Sequence, residues 1–310
     1  LAARAGVTLP HNDTIKRPPK KPHLFPLLEK INQFYQHHLR TSGHAANEYL
    51  AQRGQTKDII ERYQLGYAPS GWHTLEAQFT SDHADLLTTG MLVQQDNGKC
   101  YDRYRHRLMF PIHDKQGRLI GFGWRALEAE QQPKYLNSPE TPLFHKGREL
   151  YGLYQAIPHL SDKHPIIVVE GYLDVIALAQ HDIPYTVGTL GTATTTAHLQ
   201  LLNKYSQHIV FCFDGDAAGQ KAAWRALENA LPLLQEGLDL KFMTLPAAHD
   251  PDSFIRQAGR SAFLELMSQA KPFNVFFFEV LSSNLVLHSL AGKTQLIQKT
   301  KPYLAQLPEG

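Results

Sequence analysis

Three short acidic motifs carry the chemistry that this sequence can be expected to perform: Glu170-Gly171 with Asp174 one helical turn on, Asp214-Gly215-Asp216, and Asp250-Pro251-Asp252. Carboxylates gathered within a few ångströms repel one another, and some would take up protons near neutrality. Hard divalent cations resolve that conflict, because Mg²⁺ prefers carboxylate and water oxygens. A pair of such ions about 3.5–4 Å apart stabilises the attacking and leaving oxygens of phosphoryl transfer. Gly171 and Gly215 suit the role, since a missing side chain permits tight turns and close approach of phosphates. Taken one by one, the motifs have plainer readings. An Asp-Gly-Asp is most often a turn or a cap, Asp174 a helix-start acid favoured by the dipole, and Asp252 a cap for a short helix over 253–258. What favours metal binding is that all three motifs follow consecutive predicted strands.

Those strands lie in the middle of the chain. Ile166-Ile-Val-Val is a continuous apolar run, as expected of a strand covered on both faces. Helical spacing follows over Tyr172–Gln180, then a strand at Tyr185-Thr-Val, a helix near 195–205, a strand at Ile209–Phe213, a helix near 217–235 and a strand at Leu240-Lys-Phe-Met. Strand–helix alternation of this kind predicts an α/β unit with a mainly parallel sheet and helices on both faces. Ligands collect at the carboxyl ends of strands in such sheets. Glu170, Asp214 and the Asp250–Asp252 loop sit at those ends.

Upstream, helical spacing from Leu27 to about Arg53 breaks near Ser42-Gly43, and a capped helix opens at Thr56 and stops at Gly66. Arg107–Ile112, a short turn, and Leu119–Trp124 read as two strands, followed by a Pro- and Asn-rich loop at 133–142. Residues 8–26 hold five prolines among Lys16, Arg17, Lys20 and Lys21, and read as an extended basic arm. Beyond Ser261 the chain reads as helical, with breaks at Pro272 and Pro302. The expected organisation is therefore a basic linker (1–26), a mixed α+β basic region (27–160), the α/β unit (161–260) and a helical tail (261–310).

A second set of residues suits anionic partners. Six basic residues and one acid, Asp114, fall between positions 103 and 125. Such a cluster attracts phosphates and releases counterions, so binding should weaken with salt. Arg103, Arg105 and Arg107 alternate, which in a strand puts all three on one face, functional or merely solvated. Tyr135 and Asn137 could stack on or hydrogen-bond a base of a single strand, or only shape their loop. The whole chain of 310 residues has a net charge of +2 and is 43% apolar and 19% charged, which fits a globular protein and excludes a disordered or collagen-like one. No apolar run is long enough to predict a membrane span. Cys100 and Cys212 cannot make a disulfide framework or an all-cysteine zinc site, and fit a reducing, cytoplasmic setting. The seventeen histidines, among them His37, His38, His106 and His113, lack paired-ligand spacing with cysteine. The first residues, Leu-Ala-Ala-Arg-Ala-Gly, show no signal-peptide pattern and read as part of a longer chain.

Val169-Glu-Gly-Tyr-Leu-Asp-Val, Phe213-Asp-Gly-Asp-Ala-Ala-Gly and His249-Asp-Pro-Asp resemble the Toprim domain. Tyr101-Asp-Arg-Tyr-Arg-His-Arg-Leu-Met-Phe-Pro-Ile, Gly121-Phe-Gly-Trp-Arg, Pro133-Lys-Tyr-Leu-Asn-Ser-Pro-Glu-Thr and Phe144-His-Lys-Gly narrow the resemblance to the catalytic core of bacterial DnaG-type primases, over essentially the whole chain. One departure is Trp124, where the family usually has Gly. The resemblance implies that Glu170, Asp214 and Asp216 are the principal ligands of Mg²⁺ or Mn²⁺, with two or more ions. Asp174, Asp250 and Asp252 would be further acidic groups holding or tuning them. Arg103, Arg105, Arg107, Arg125, Lys134 and Lys146 become candidates for binding template, nucleotide triphosphates or primer. The implied activity is template-directed synthesis of short RNA primers on single-stranded DNA by a monomeric core. Zinc would belong to a module absent from this chain, as would the contact with a replicative helicase. A Toprim nuclease or topoisomerase fragment, a phosphatase using Asp-x-Asp, and a metal-stabilised single-strand-binding scaffold are the rival readings. None of the thirteen tyrosines is marked for strand cleavage.

Overall fold

The protein is seen here as a computed structural model that describes residues 22–128, 133–161, 164–191, 193–235 and 237–308. Most of the expected basic arm, up to position 21, lies outside them. Helix α1 (Leu24–Thr41) buries Leu24, Leu27, Leu28, Ile31, Tyr35 and Leu39, one stripe at helical spacing. It starts inside the segment expected to be linker. Pro26 is its third residue, in the first turn, where no intrahelical donor is needed. After a break at Ser42-Gly43 come α2 (His44–Gln52) and α3 (Lys57–Arg62), the latter capped by the Thr56 hydroxyl, which accepts from the amide of Ile59.

Strand β1 (Gly66–Ala68), helices α4 (Thr74–Gln78) and α5 (His83–Thr88) and the hairpin of β2 (Leu92–Gln94) with β3 (Cys100–Asp102) lead into β4 (Arg107–His113) and β5 (Leu119–Ala126). The β4–β5 turn is fixed by Asp114, whose Oδ1 accepts from the amides of Gln116 and Arg118. Within the expected loop at 133–142, residues Tyr135–Asn137 form a short strand, β6, paired antiparallel with β5. Prolines 133 and 139 flank it closely enough to hide it from the sequence pattern. Order β1-β4-β5-β6 makes an antiparallel sheet. Trp124 does not disturb it: β5 runs straight through, and the Arg107 guanidinium lies 4.9 Å from the Trp124 ring.

After α6 (Leu153–Ala156) the α/β unit follows: β7 (Ile166–Val169), α7 (Tyr172–Gln180), β8 (Thr186–Gly188), α8 (Thr196–Leu202), β9 (His208–Phe213), α9 (Ala217–Ala230), β10 (Asp239–Thr244) and α10 (Pro251–Ser268). Its sheet has the order β11-β10-β9-β7-β8 and is parallel except for β11 (Lys271–Pro272). The apolar runs are explained by two cores. Ile166, Val168, Ile209, Phe211 and Phe213 face one; Ile167, Val169, Val210 and Cys212 face the other. That second core continues without interruption into the first sheet through Tyr172, Phe110 and Phe122. Tyr172 stacks on Phe110 at 4.9 Å and meets Tyr151 edge-on at 4.7 Å. Helices α11 (Phe273–Ser282) and α12 (Leu290–Leu304) close the described chain. The expected break at Pro302 does not occur: α12 runs on through the proline to Leu304.

Candidate metal and nucleotide site

The carboxylates meet where the strand ends predict. Glu170 follows β7, Asp214 follows β9, Asp216 caps α9 and Asp250 caps α10. Gly215 lets the Asp214–Asp216 turn press on the chain after β10: a side chain there would come within 2.2 Å of the Pro246 carbonyl. The space at this glycine and at Gly171 is thus filled by protein, the latter by the Asp174 carboxylate.

Hydrogen bonds divide five of the six acids into two groups. Asp174 is buried and accepts from the Gly171 amide at 3.0 Å and the Asp252 amide at 3.1 Å. Asp250 accepts from the Ser253 amide at 2.7 Å. Asp252, almost fully buried, is ion-paired with Arg53 and with Arg256, the latter at 2.8 Å. These three hold the helix starts together. Asp216 spends only Oδ1, on the amides of Ala218 and Gly219. Glu170 Oε1 is buried with no hydrogen-bond partner among the described residues.

The electrostatics follow. Burial and then Asp214 and Asp216 push Glu170 up to about 7. Burial, Asp250 and Asp216 raise Asp214 to about 6. Asp174 reaches about 8, through burial first and then Asp250. At Asp250 burial also pushes up, but the hydroxyl and amide of Ser253, then Arg53 and Arg256, outweigh it and hold the carboxyl below its usual range. Among the described residues, no three histidine, cysteine or acidic side chains converge closely enough to hold one ion as they stand. The donor set nevertheless suits a hard cation: all oxygen, mutually repelling, with one buried oxygen unanswered.

Glu170 and Asp214 line a cavity of about 700 Å³, within the size range of small-molecule sites. Asp216 is not among its lining residues. Lys134, Tyr135, Asn137 and Lys146 are, as are Arg53 and Arg225, which the sequence reading missed. Arg225 had a signal: with Ala218 and Ala222 it repeats at i, i+4 and i+7 on α9, and all three line the cavity. Arg53 had none, because only the fold brings the end of α2 to α10. Arg125 stays back from the cavity. It is buried, with its guanidinium 3.7 Å from the Tyr49 ring, and donates through Nε to the Tyr135 hydroxyl at 3.1 Å.

Arg103, Arg105 and Arg107 do not share a strand face. Strand β3 ends at Asp102, and His106 has a left-handed backbone (φ 52°), so the alternation is broken before β4 begins. The tertiary cause is local: the His106 amide donates to the Pro69 carbonyl at 3.1 Å, and its ring bonds the Tyr67 hydroxyl at 2.8 Å. Arg103 turns to the Gly90 carbonyl at 2.6 Å. Arg105 lies 4.1 Å from the ring of Trp72 and 5.1 Å from that of Tyr101, and with Trp72 and Arg107 it lines a second depression, of about 480 Å³. Trp72 is 58% exposed, with the Arg105 guanidinium over its ring.

The chain is similar to known proteins over nearly all of its length. The family described as DNA primase catalytic core, N-terminal domain, matches residues 34–157, and a Toprim-like family matches 167–255. A DNA primase of Legionella pneumophila is 55% identical over 307 residues, which are 99% of this chain and 53% of the relative; one of Escherichia coli K12 is 45% identical over 92% of this chain and 50% of its own. The chain thus spans about half the length of the curated relatives it matches. A DNA primase domain from Pseudomonas aeruginosa superposes with a TM-score of 0.89 at 46% identity, over 92% of this chain and 91% of that one. A DnaG primase catalytic domain bound to single-stranded DNA gives 0.87 at 44%, over 94% and 92%.

Proposed function

The chain belongs to the DnaG-type DNA primase catalytic cores with a Toprim domain, and from that premise we propose that it joins ribonucleotides into short RNA primers on single-stranded DNA. The observation that carries this reading is the cavity in which Glu170 and Asp214 share walls with Arg53, Lys134, Lys146 and Arg225. Carboxylates for divalent ions and cations for phosphates in one hollow are what a nucleoside triphosphate requires. Glu170, Asp214 and Asp216 would hold Mg²⁺ or Mn²⁺. When bound, such ions supply charge neutralisation for the attacking hydroxyl and the departing pyrophosphate. Lys134, Lys146 and Arg225 would orient the triphosphate, and Arg53 and Arg256, by neutralising Asp252, keep repulsion within the cluster from growing. No side chain is needed as a nucleophile. The test is incorporation of labelled NTPs on a single-stranded template with and without Mg²⁺ or Mn²⁺. Metal-dependent extension is expected; DNA cleavage without incorporation, or template binding alone, would replace this reading with a nuclease or a scaffold.

The depression around Trp72 would carry the template. An exposed indole with a guanidinium stacked on it suits unpaired bases beside their phosphates. Trp72→Ala should weaken single-stranded DNA binding by about 5- to 100-fold with little change in salt dependence. Arg105→Ala should flatten the slope of log affinity against log salt by about one phosphate contact. Fluorescence anisotropy across a salt series measures both, and two wild-type-like lines would remove this surface from the template path.

A further inference from the structure

Nine of the thirteen large apolar side chains that stand exposed among the described residues fall between positions 275 and 307, which sets the surface of the last two helices apart. Helix α12 gives that surface an order. Gly292 and Thr300 are buried on its packed side, and Tyr303 meets the rings of Trp224 and Phe277 edge-on at 5.4 Å and 5.7 Å. Beside that side, Leu290, Ile297 and Leu304 recur at i, i+7 and i+14 and are 83%, 66% and 53% exposed. Lys293 and Lys301 fall between them, also exposed. The pitch of an α-helix confines all five to one stripe about 80° wide and about 21 Å long. The only acid within positions 273–307 is Glu279, and Lys271 holds it at 2.6 Å.

Single exposed apolar residues are ordinary, but three in register along one helix, a heptad apart, are the pattern on which a second helix packs. The lysines select that helix. Covering an ammonium group without compensation is costly, so the occupant must bring carboxylates opposite Lys293 and Lys301. A second copy of this chain does not meet that need: paired in either direction, the stripe sets lysine against lysine. A lipid surface does not meet it either, because helices that lie on membranes carry their lysines on the polar face, and here they stand within the apolar stripe. We propose that the exposed stripe of α12 is a docking site for an acidic amphipathic helix of a separate protein, with apolar residues a heptad apart and Asp or Glu between them. The site is independent of the cavity and of primer synthesis.

The probe is a fluorescein-labelled helical peptide of about three heptads, with Leu a heptad apart on one stripe, Glu between them, and Ala and Gln elsewhere. Fluorescence anisotropy with the full-length protein should show saturable binding, at least about tenfold weaker for the same peptide with Lys in place of Glu. Ile297→Glu changes a site open to water, so it should melt and synthesise primers like wild type while binding the Glu peptide about tenfold or more weakly. Lys293→Glu combined with Lys301→Glu should invert the preference toward the Lys peptide, an outcome that loss of folding cannot produce. No binding of either peptide, or equal binding of both, overturns the assignment. Binding by the 310-residue chain but not by the full-length protein also overturns it, and gives the stripe to another segment of the same polypeptide. A wild-type dimer in sedimentation that Ile297→Glu dissolves would give it to a second copy instead. Binding to vesicles of anionic lipid that Ile297→Glu abolishes would give it to a membrane.

Discussion

Replacing Glu170 with Gln should reduce primer synthesis by at least about 10³-fold, the upper range for removing one charge-stabilising group from a charged transition state, while leaving the fold intact. The same variant should be more stable than wild type in metal-free buffer. Glu170 is raised to about 7 by burial and by Asp214 and Asp216, so the folded state holds a proton that the unfolded chain has released. Metal-free stability therefore falls as pH rises from the ordinary glutamate range through about 7, and Gln does not take part in that loss. For this partly buried carboxylate, screening leaves a gain of ~1 kcal/mol at pH 8, roughly 2 °C in Tm. Added Mg²⁺ should raise the wild-type melting temperature and lose most of that effect on the variant. Thermal melts at pH 6 and pH 8 with and without Mg²⁺, beside an incorporation assay, check all of this. A variant that polymerises like wild type would end the ligand assignment, and one that melts lower at pH 8 would mean the side chain is structural.

Gly219→Ala should damage both stability and synthesis. Gly219 lies in the first turn of α9, and a methyl group there would come within 2.1 Å of the Asp214 carbonyl oxygen and 2.8 Å of its backbone carbon and nitrogen. Backbone at the end of a central strand cannot swing aside as a side-chain tip can. Helix α9 must move instead, and Asp216 goes with it because its carboxylate caps the amides of Ala218 and Gly219. Overpacking of this kind costs about 1–3 kcal/mol, and an ångström of misplacement at a reacting centre costs about 10²-fold in rate. Gly147→Ala is the control, since its methyl would meet only Thr195 Cγ2 at 3.7 Å and should be neutral within about 0.5 kcal/mol. If the two variants melt alike, the tight seam between α9 and Asp214 is not a constraint.

The sequence made the candidate acids legible through strand ends. Glu170 and Asp214 could be found because an apolar run buried on both faces must stop where it reaches a ligand-facing rim. Their neighbours were harder to sort. Asp174 and Asp252 look like further ligands in sequence, and only the meeting of α7 with α10 reveals an amide for each Asp174 oxygen and two guanidiniums for Asp252. Arg103 to Arg107 misled for a related reason. Alternation is the signature of a strand, but contacts to Pro69 and Tyr67 decide the backbone at His106, and they come from distant sequence. Trp72 escaped notice because a single tryptophan in Ser-Gly-Trp-His shows neither period nor spacing. Its exposure, the informative fact, is a property of the folded surface.

The core that passes from β7 and β9 through Tyr172 into the first sheet has an implication for how such proteins diversify. The acid-bearing half needs a matching surface on whatever neighbour it is joined to. Its outer helix α7 is fitted to one neighbour, and a graft onto another scaffold would expose Tyr172 unless the host supplied a ring to match Phe110. Selection on the reaction therefore acts on the two halves jointly, and substitutions along their seam should be inherited in compensating pairs.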